Sequence, residues 1–150
     1  MVTISLSSDS SQIHDRLTKL QKLTGELGRS RLVVGTNREY MRKHQLGLGG
    51  FPERQFLGVN ANDEKEIIRI LDEAIANPRT QSADSVYRNI GEYMLLVTDD
   101  RFERETGPDG IPWTPNTPFT LRQKRAAGKI LKVLQSTGQA RASIQYQVRR

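Results

Sequence analysis

The sequence predicts an α+β fold in which about three helices pack on one face of a small antiparallel sheet. Long stretches repeat apolar residues every three or four positions, which is typical of amphipathic helices. Short stretches alternate apolar and polar residues, which is typical of half-buried strands. No helix stands between two apolar strands, so a parallel sheet is not favoured. The 150 residues are predicted to form one domain with segments 1–30, 31–80 and 81–150.

The first segment is predicted to hold a strand and a helix. VTISL (2–6) alternates apolar and polar residues, and SSDSS then offers several helix N-caps. A helix is predicted over about residues 11–27, closed by Gly28. The residues expected on its buried stripe are Ile13, Leu17, Leu20, Thr24 and Leu27.

The second segment is predicted to contain one strand and one long helix. RLVVGT (31–36) is rich in β-branched residues, which favours a strand. One helical turn is expected in EYMRKHQLG, and the glycine-rich residues 47–58 are expected to be a loop. A helix capped by Asn60 or Asn62 should end at Asn77-Pro78, before a linker at 78–82. Its expected apolar face comprises Ile67, Ile68, Leu71, Ala74 and Ile75.

The third segment is predicted to begin with the longest helix. It should start near Ser82 or Ala83 and end between Phe102 and Glu105, with a stripe of Val86, Ile90, Met94 and Val97. A short basic helix over 120–127 and an apolar cluster over 130–134 should follow. ASIQYQV, near the end of the chain, alternates like an edge or half-buried strand, which brings the expected number of short strands to three or four.

The composition restricts the chemistry that the chain can perform. Absence of cysteine excludes disulfides and Cys-based zinc sites. No apolar run has the length of a membrane helix and the N-terminus does not resemble a signal peptide, so we expect a soluble protein without membrane contact.

Positive charge is concentrated in the last quarter of the chain. The net charge is +6, and no acidic residue follows Asp109. The cations after that position are Arg122, Lys124, Arg125, Lys129, Lys132, Arg141, Arg149 and Arg150. Such a segment suits nucleic acid, a membrane surface or an acidic protein partner, and it is equally compatible with a solvated helix face.

None of the common catalytic or metal-binding patterns is present. The two histidines, His14 and His44, have no second ligand at metal-binding spacing, and no serine lies in a nucleophile elbow. LGLGGFPERQ (46–55) lacks the ending of a phosphate-binding P-loop. The interleaved acids and arginines at 99–105 are expected to form surface ion pairs. We therefore expect no enzyme, no cofactor and no metal.

TGPDGIPW (106–113) is predicted to be a turn that positions the single tryptophan. Proline and glycine suit the backbone angles of a tight turn, and Asp109 is a common turn residue. Trp113 is then expected either in the chain's own core or at an interface, and its own core is favoured.

Two blocks together resemble the phage virion morphogenesis, or tail completion, family of Mu-like contractile-tailed phages. The first block runs from RFERETGPDGIPW to the final strand, and the second is YMRKHQLGLGGFPERQFLG. Matching positions in the first are Arg101, Phe102, Pro108, Asp109, Gly110, Trp113, Thr120, Lys124, Leu134, Thr137 and Gly138. Those in the second are His44, Gln45, Gly47, Pro52, Arg54, Phe56, Leu57 and Gly58.

The order of the two blocks departs from the family pattern, in which the PDGxxW block comes first. In that order SIQYQVRR would run directly into RLVVGT and form a β-hairpin with it. We therefore expect these two strands to pair antiparallel here, with Arg150 close to Arg31.

The resemblance implies a structural virion protein that completes the tail at its head-proximal end and supports head–tail joining. The implied partners are other copies of itself in a ring, expected to be six-fold, and the tail tube and neck proteins. The implied location is the tail or neck of the virion, after assembly in the host cytoplasm. Candidate interface residues are Phe51, Phe56, Trp113, Arg122 and Arg125.

The resemblance leaves open whether the basic segment faces DNA or protein. A small basic nucleic-acid-binding module is the alternative function, and a hydrolase that uses His44 beside an acid is the least favoured one.

Overall fold

The computed structural model describes residues 10–150 and has an α+β architecture. The described residues form the helices α1 (Ser10–Arg29), α2 (Glu39–Leu46), α3 (Ala61–Ala76), α4 (Ala83–Arg104), α5 (Pro118–Ala126) and α6 (Gln139–Ala142). A 3₁₀ turn covers Leu48–Gly50, and the strands are β1 (Arg31–Gly35) and β2 (Gln145–Arg149). The predicted strand at 2–6 lies outside the described residues.

The three long helices are those predicted, but the helix count exceeds three. α2 and α5 correspond to the short helical stretches expected at 39–47 and 120–127, while α6 was not predicted. The described residues contain two strands, which are those predicted at 31–36 and near the end of the chain, and the apolar cluster at 130–134 forms no strand.

The two strands pair antiparallel, as the sequence predicts. Arg31 lies opposite Arg149 at one end of the ladder, and Gly35 lies opposite Gln145 at the other. α4 packs across both strands. The helix approaches the sheet closely at Gly91, where an added Cβ would lie 2.5 Å from the ring of Tyr146.

Side-chain caps define where the long helices begin. The Asn60 side chain accepts hydrogen bonds from the backbone of Asn62 and Asp63, while Asp63 accepts one from the Asn60 backbone. Ser82 and Ser85 form the equivalent capping box on α4. These reciprocal bonds satisfy backbone donors that a helix start otherwise leaves unpaired.

One hydrophobic core joins α1, α3 and the first half of α4. Its buried members are Leu23, Ile70, Ala74, Ala83, Val86, Ile90 and Met94.

The predicted buried faces of α1 and α3 are partly wrong. Ile13, Leu17, Ile68 and Ile75 are between 44% and 56% exposed, and Thr24 is exposed as well. α1 reaches the core in its second half, through the predicted Leu27 and through Leu23, which lies outside the predicted stripe. α3 carries isoleucines on two sides, so helical spacing alone does not determine which side faces α4.

A second core lies beyond the other end of α4. Its buried members are Met41, Phe56, Phe102, Trp113, Val133 and Ala140. They lie far apart in the sequence, and this second core supports the site described below.

Candidate functional site

The TGPDGIPW stretch is a closed turn. Thr106 and Pro112 form an isolated antiparallel bridge, and the backbone N–H of Gly107 donates to the carbonyl of Ile111 at 2.9 Å. Asp109 accepts a 3.0 Å hydrogen bond from the N–H of Ile111, and Gly110 has φ +78°. Glycine suits this left-handed position because it carries no Cβ. The turn therefore returns the chain to α4 in a defined geometry.

Trp113 packs into the chain's own core. Its ring meets Phe102 edge to face at a centroid distance of 5.2 Å, and its indole N–H donates to the Gln55 carbonyl at 2.8 Å. Trp113 is 6% exposed and Phe56 is 1% exposed. Trp113 therefore lies in the chain's own core, as favoured, and folding of the single chain leaves neither Trp113 nor the other candidate contact Phe56 exposed to a partner. Of the three candidate aromatic residues, Phe51 alone is exposed, at 45%.

Gln45 holds the FLG segment against α2. Its side-chain oxygen accepts hydrogen bonds from the N–H groups of Phe56 and Leu57, each 3.0 Å, and its amide nitrogen donates to the Leu57 carbonyl at 2.9 Å. Gly47 ends α2 in a left-handed conformation with φ +62°. Gly58 lies where an added Cβ would approach Pro108 to 2.7 Å. The two sequence blocks are thus joined side by side in the fold.

A buried ion pair joins α4 to α3, and its arginine also bonds to the second block. Arg101 on α4 donates to Asp63 on α3 at 2.6 Å, and both side chains are at most 6% exposed. The same guanidinium donates to the carbonyls of Phe56 and Gly58. Tyr93 donates to the other Asp63 oxygen at 2.9 Å, and burial together with this bond raises the pKa of Tyr93 to about 12.

Residues of both blocks line one cavity of about 480 Å³. The lining residues that the resemblance singles out are His44, Pro52, Arg54, Thr120, Lys124, Leu134 and Thr137. Tyr40, Phe51 and Pro115 contribute further apolar surface. Gly138 begins α6 beside the cavity with φ +73°. Arg122 and Arg125 are exposed on α5 and do not line the cavity.

Two buried cations reach this cavity. Arg54 and Lys124 are each 7% exposed. Arg54 Nε donates to the Thr114 carbonyl at 2.9 Å, and Lys124 Nζ donates to the Lys132 carbonyl at 2.8 Å. Within residues 10–150 neither side chain forms an ion pair with a carboxylate.

Burial disfavours the charged forms of the two cations at this cavity. Burial lowers the pKa of Lys124, and the neighbouring Arg54 lowers it further. Burial also lowers the pKa of Arg54. Glu105 is the carboxylate whose charge partly offsets these effects, but it accepts a hydrogen bond from the Val133 backbone. Positive charge near the cavity thus exceeds negative charge.

His44 belongs to the same cationic surroundings. Its ring meets Phe51 edge to face at 5.0 Å, and its Nδ1 is buried without a hydrogen-bond partner in the described part of the chain. Burial, and then the charge of Arg54, lower the pKa of His44. Both effects favour the neutral form of His44.

Much of the basic segment is neutralised in the fold. Arg141 pairs with Asp99 and Glu103 on α4, and Lys132 pairs with Glu103 at 2.7 Å. These bonds lower the pKa of Glu103 to about 2. Arg150 pairs with Asp84 at 2.7 Å. The interleaved acids at 99–105 thus bind the C-terminal cations as well as their own helix.

The sequence did not reveal every residue that builds this region. Gln135 is buried and donates to the Phe102 carbonyl at 2.7 Å. Nothing in the sequence singles out Asp63 as the buried partner of Arg101. Neither belongs to a short motif, and an acid at the third position of a helix is an ordinary capping residue.

Other kinds of site find no support in the described residues. No group of three potential metal ligands occurs among residues 10–150. No helix in this range is long and apolar enough to cross a membrane.

The two sequence blocks thus build a shared core and line one cavity. The sequence profile of the phage virion morphogenesis family matches residues 7–76 and 69–150. The chain belongs to this family, and its role is in phage virion structure or assembly. No curated protein and no solved structure matches the chain.

Proposed function

We propose that this protein completes the phage tail at its head-proximal end, where copies assemble into a ring that supports head–tail joining. The observation that carries the proposal is the family match over almost the whole chain. The protein is proposed to be a structural virion component without enzymatic activity. Its proposed partners are other copies of itself and the tail tube and neck proteins.

Two exposed faces of opposite charge support the ring. On α3, Glu64, Ile68, Asp72 and Ile75 follow at helical spacing and are all exposed. On α5, Phe119, Arg122 and Arg125 form an exposed basic and apolar face. A contact between two different patches is heterologous, and it generates a closed ring when the rotation between copies closes.

The ring is tested by light scattering coupled to size-exclusion chromatography. R122E/R125E is expected to give smaller particles than the unmodified protein, and E64K/D72K in the same chain should restore assembly because the charges match again. K19E/K22E on α1 is the matched control, since it reverses two exposed lysines. A monomer at all concentrations, or normal infectious tails from phage that lack the protein, would refute the proposal.

A nucleic-acid-binding module is the second candidate function. The exposed cations Arg122, Arg125 and Lys129 favour it. Against it, Lys124 is buried, and Lys132, Arg141 and Arg150 are engaged by carboxylates. Binding to DNA that falls steeply between 50 and 200 mM salt would support this function, in the way expected for phosphate contacts. No detectable binding at about 50 mM salt would exclude it.

A further inference from the structure

We propose that the cavity between the two sequence blocks is a binding site for a carboxylate group of an acidic protein segment. The cavity is the one of about 480 Å³ lined by His44, Arg54 and Lys124. The inference concerns a single chain, so it does not depend on ring formation.

The first argument is the unbalanced charge of the two cations. Arg54 and Lys124 are 93% buried, and their hydrogen bonds go to neutral carbonyl groups. Arg54 Nη2 makes only a long contact of 3.4 Å to the Pro115 carbonyl, and Nη1 has no hydrogen-bond partner within residues 10–150. Glu105 offsets this positive charge only in part and accepts a hydrogen bond from the Val133 backbone. An incoming anion would therefore lower the cost of burying the two cations.

The second argument is the chemistry of the guanidinium. Arginine presents a planar fork of N–H donors that matches the two oxygens of a carboxylate. Thr120 and Thr137 line the same cavity and add hydroxyl groups that can donate to an anion.

The walls favour a protein segment over a nucleic acid. Tyr40, Phe51, Pro52 and Pro115 give the entrance an apolar character, and Phe51 is exposed there. A phosphate backbone is normally contacted by exposed cations. Arg54 and Lys124 are recessed instead, so a carboxylate on a flexible side chain, flanked by apolar residues, fits this cavity better.

In the test, a hexaglutamate peptide with blocked ends is titrated into the whole protein. Two-dimensional NMR spectra of the backbone amides report the binding. Inorganic phosphate and a single-stranded oligothymidine are titrated in parallel. The peptide is expected to shift the amides of cavity residues such as Thr114, Thr120 and Thr137.

K124M is expected to weaken peptide binding at least fivefold. K65M is the matched control, because Lys65 is an exposed lysine on α3 and its loss changes the net charge equally. K65M should leave the affinity for the peptide within about twofold of that of the unmodified protein, because distant exposed charges are largely screened. If K124M does not fold, the chemical-shift map of the unmodified protein still decides the outcome.

Three results would overturn the inference. One is peptide-induced shifts that avoid the cavity, or no shifts at all. Another is equal weakening by K124M and K65M. The third is tighter binding of phosphate or oligothymidine than of peptide at the cavity, which would make it a phosphate site.

Discussion

The buried pair Arg101–Asp63 gives the sharpest prediction about stability. Asp63→Asn keeps the size and shape of the side chain and removes its negative charge. Arg101 then remains buried, at 5% exposure, without a counter-charge. Breaking a buried ion pair by removing one partner typically costs about 3–5 kcal/mol.

That cost is a large part of the stability of an ordinary domain, which is about 5–15 kcal/mol. For a chain of this size, each kcal/mol corresponds to roughly 2–4 °C in Tm. D63N should therefore lower Tm by about 6–20 °C. Tyr93 and the Asn60 backbone also donate hydrogen bonds to Asp63. The stability lost in D63N should therefore be well above the stability that a single neutral hydrogen bond contributes.

Urea denaturation followed by circular dichroism measures the change. The matched control is E66Q, which also converts an α3 carboxylate paired with an arginine into an amide. The Glu66 side chain is 33% exposed and its partner Arg69 is 54% exposed, so loss of this surface pair should leave the unfolding midpoint nearly unchanged. The double variant D63N/R101M should lose less than the sum of its single variants, because it no longer contains an unpaired charge. A loss below about 1 kcal/mol for D63N would refute this reasoning.

Three further predictions concern His44, Trp113 and Gly91. Because the pKa of His44 is lowered in the folded chain, protonation of this residue favours the unfolded chain, and the free energy of unfolding should fall as pH drops below about 6.5. H44Q should flatten this dependence in urea titrations at about pH 7 and about pH 5.5, and an unchanged slope would contradict it. W113F should lower the free energy of unfolding in urea by about 2 kcal/mol, because it removes the hydrogen bond to the Gln55 carbonyl and leaves a void. A neutral effect would show that the turn does not depend on the indole. G91A should destabilise the fold by about 1–3 kcal/mol in thermal unfolding, because the added methyl group meets the ring of Tyr146. The same substitution should cost less in a Y146A background. A stabilised G91A would mean that helix propensity outweighs packing.

Local features of the fold were well predicted from the sequence. Ser82 and Asn60 begin helices because their side chains satisfy backbone donors, which is a property of a few neighbouring residues. The PDG turn follows from the backbone preferences of proline and glycine. The pairing of SIQYQV with RLVVGT was also confirmed, although it depended on the family resemblance and not on spacing alone.

The sequence predicted less well which face of each helix is buried. Ile68 and Ile70 are both isoleucines on α3, yet one is 56% exposed and the other 8%. Which of them packs depends on where α4 lies, and that is decided by contacts between distant segments. For the same reason Phe56 was expected on a surface although it is almost fully buried.

The sequence by itself determined the helices, the turn that carries Trp113, the concentration of positive charge after Asp109 and the family. The tertiary structure alone decided which of those charges remain available. Arg141 and Lys132 meet the acids of α4, whereas Lys124 is buried beside a cavity without a carboxylate partner in residues 10–150. There it lies near Arg54, a cation from an earlier part of the chain. The reason is physical: the effect of a charge depends on burial and on neighbours within a few ångströms, and folding brings these together from distant parts of the chain.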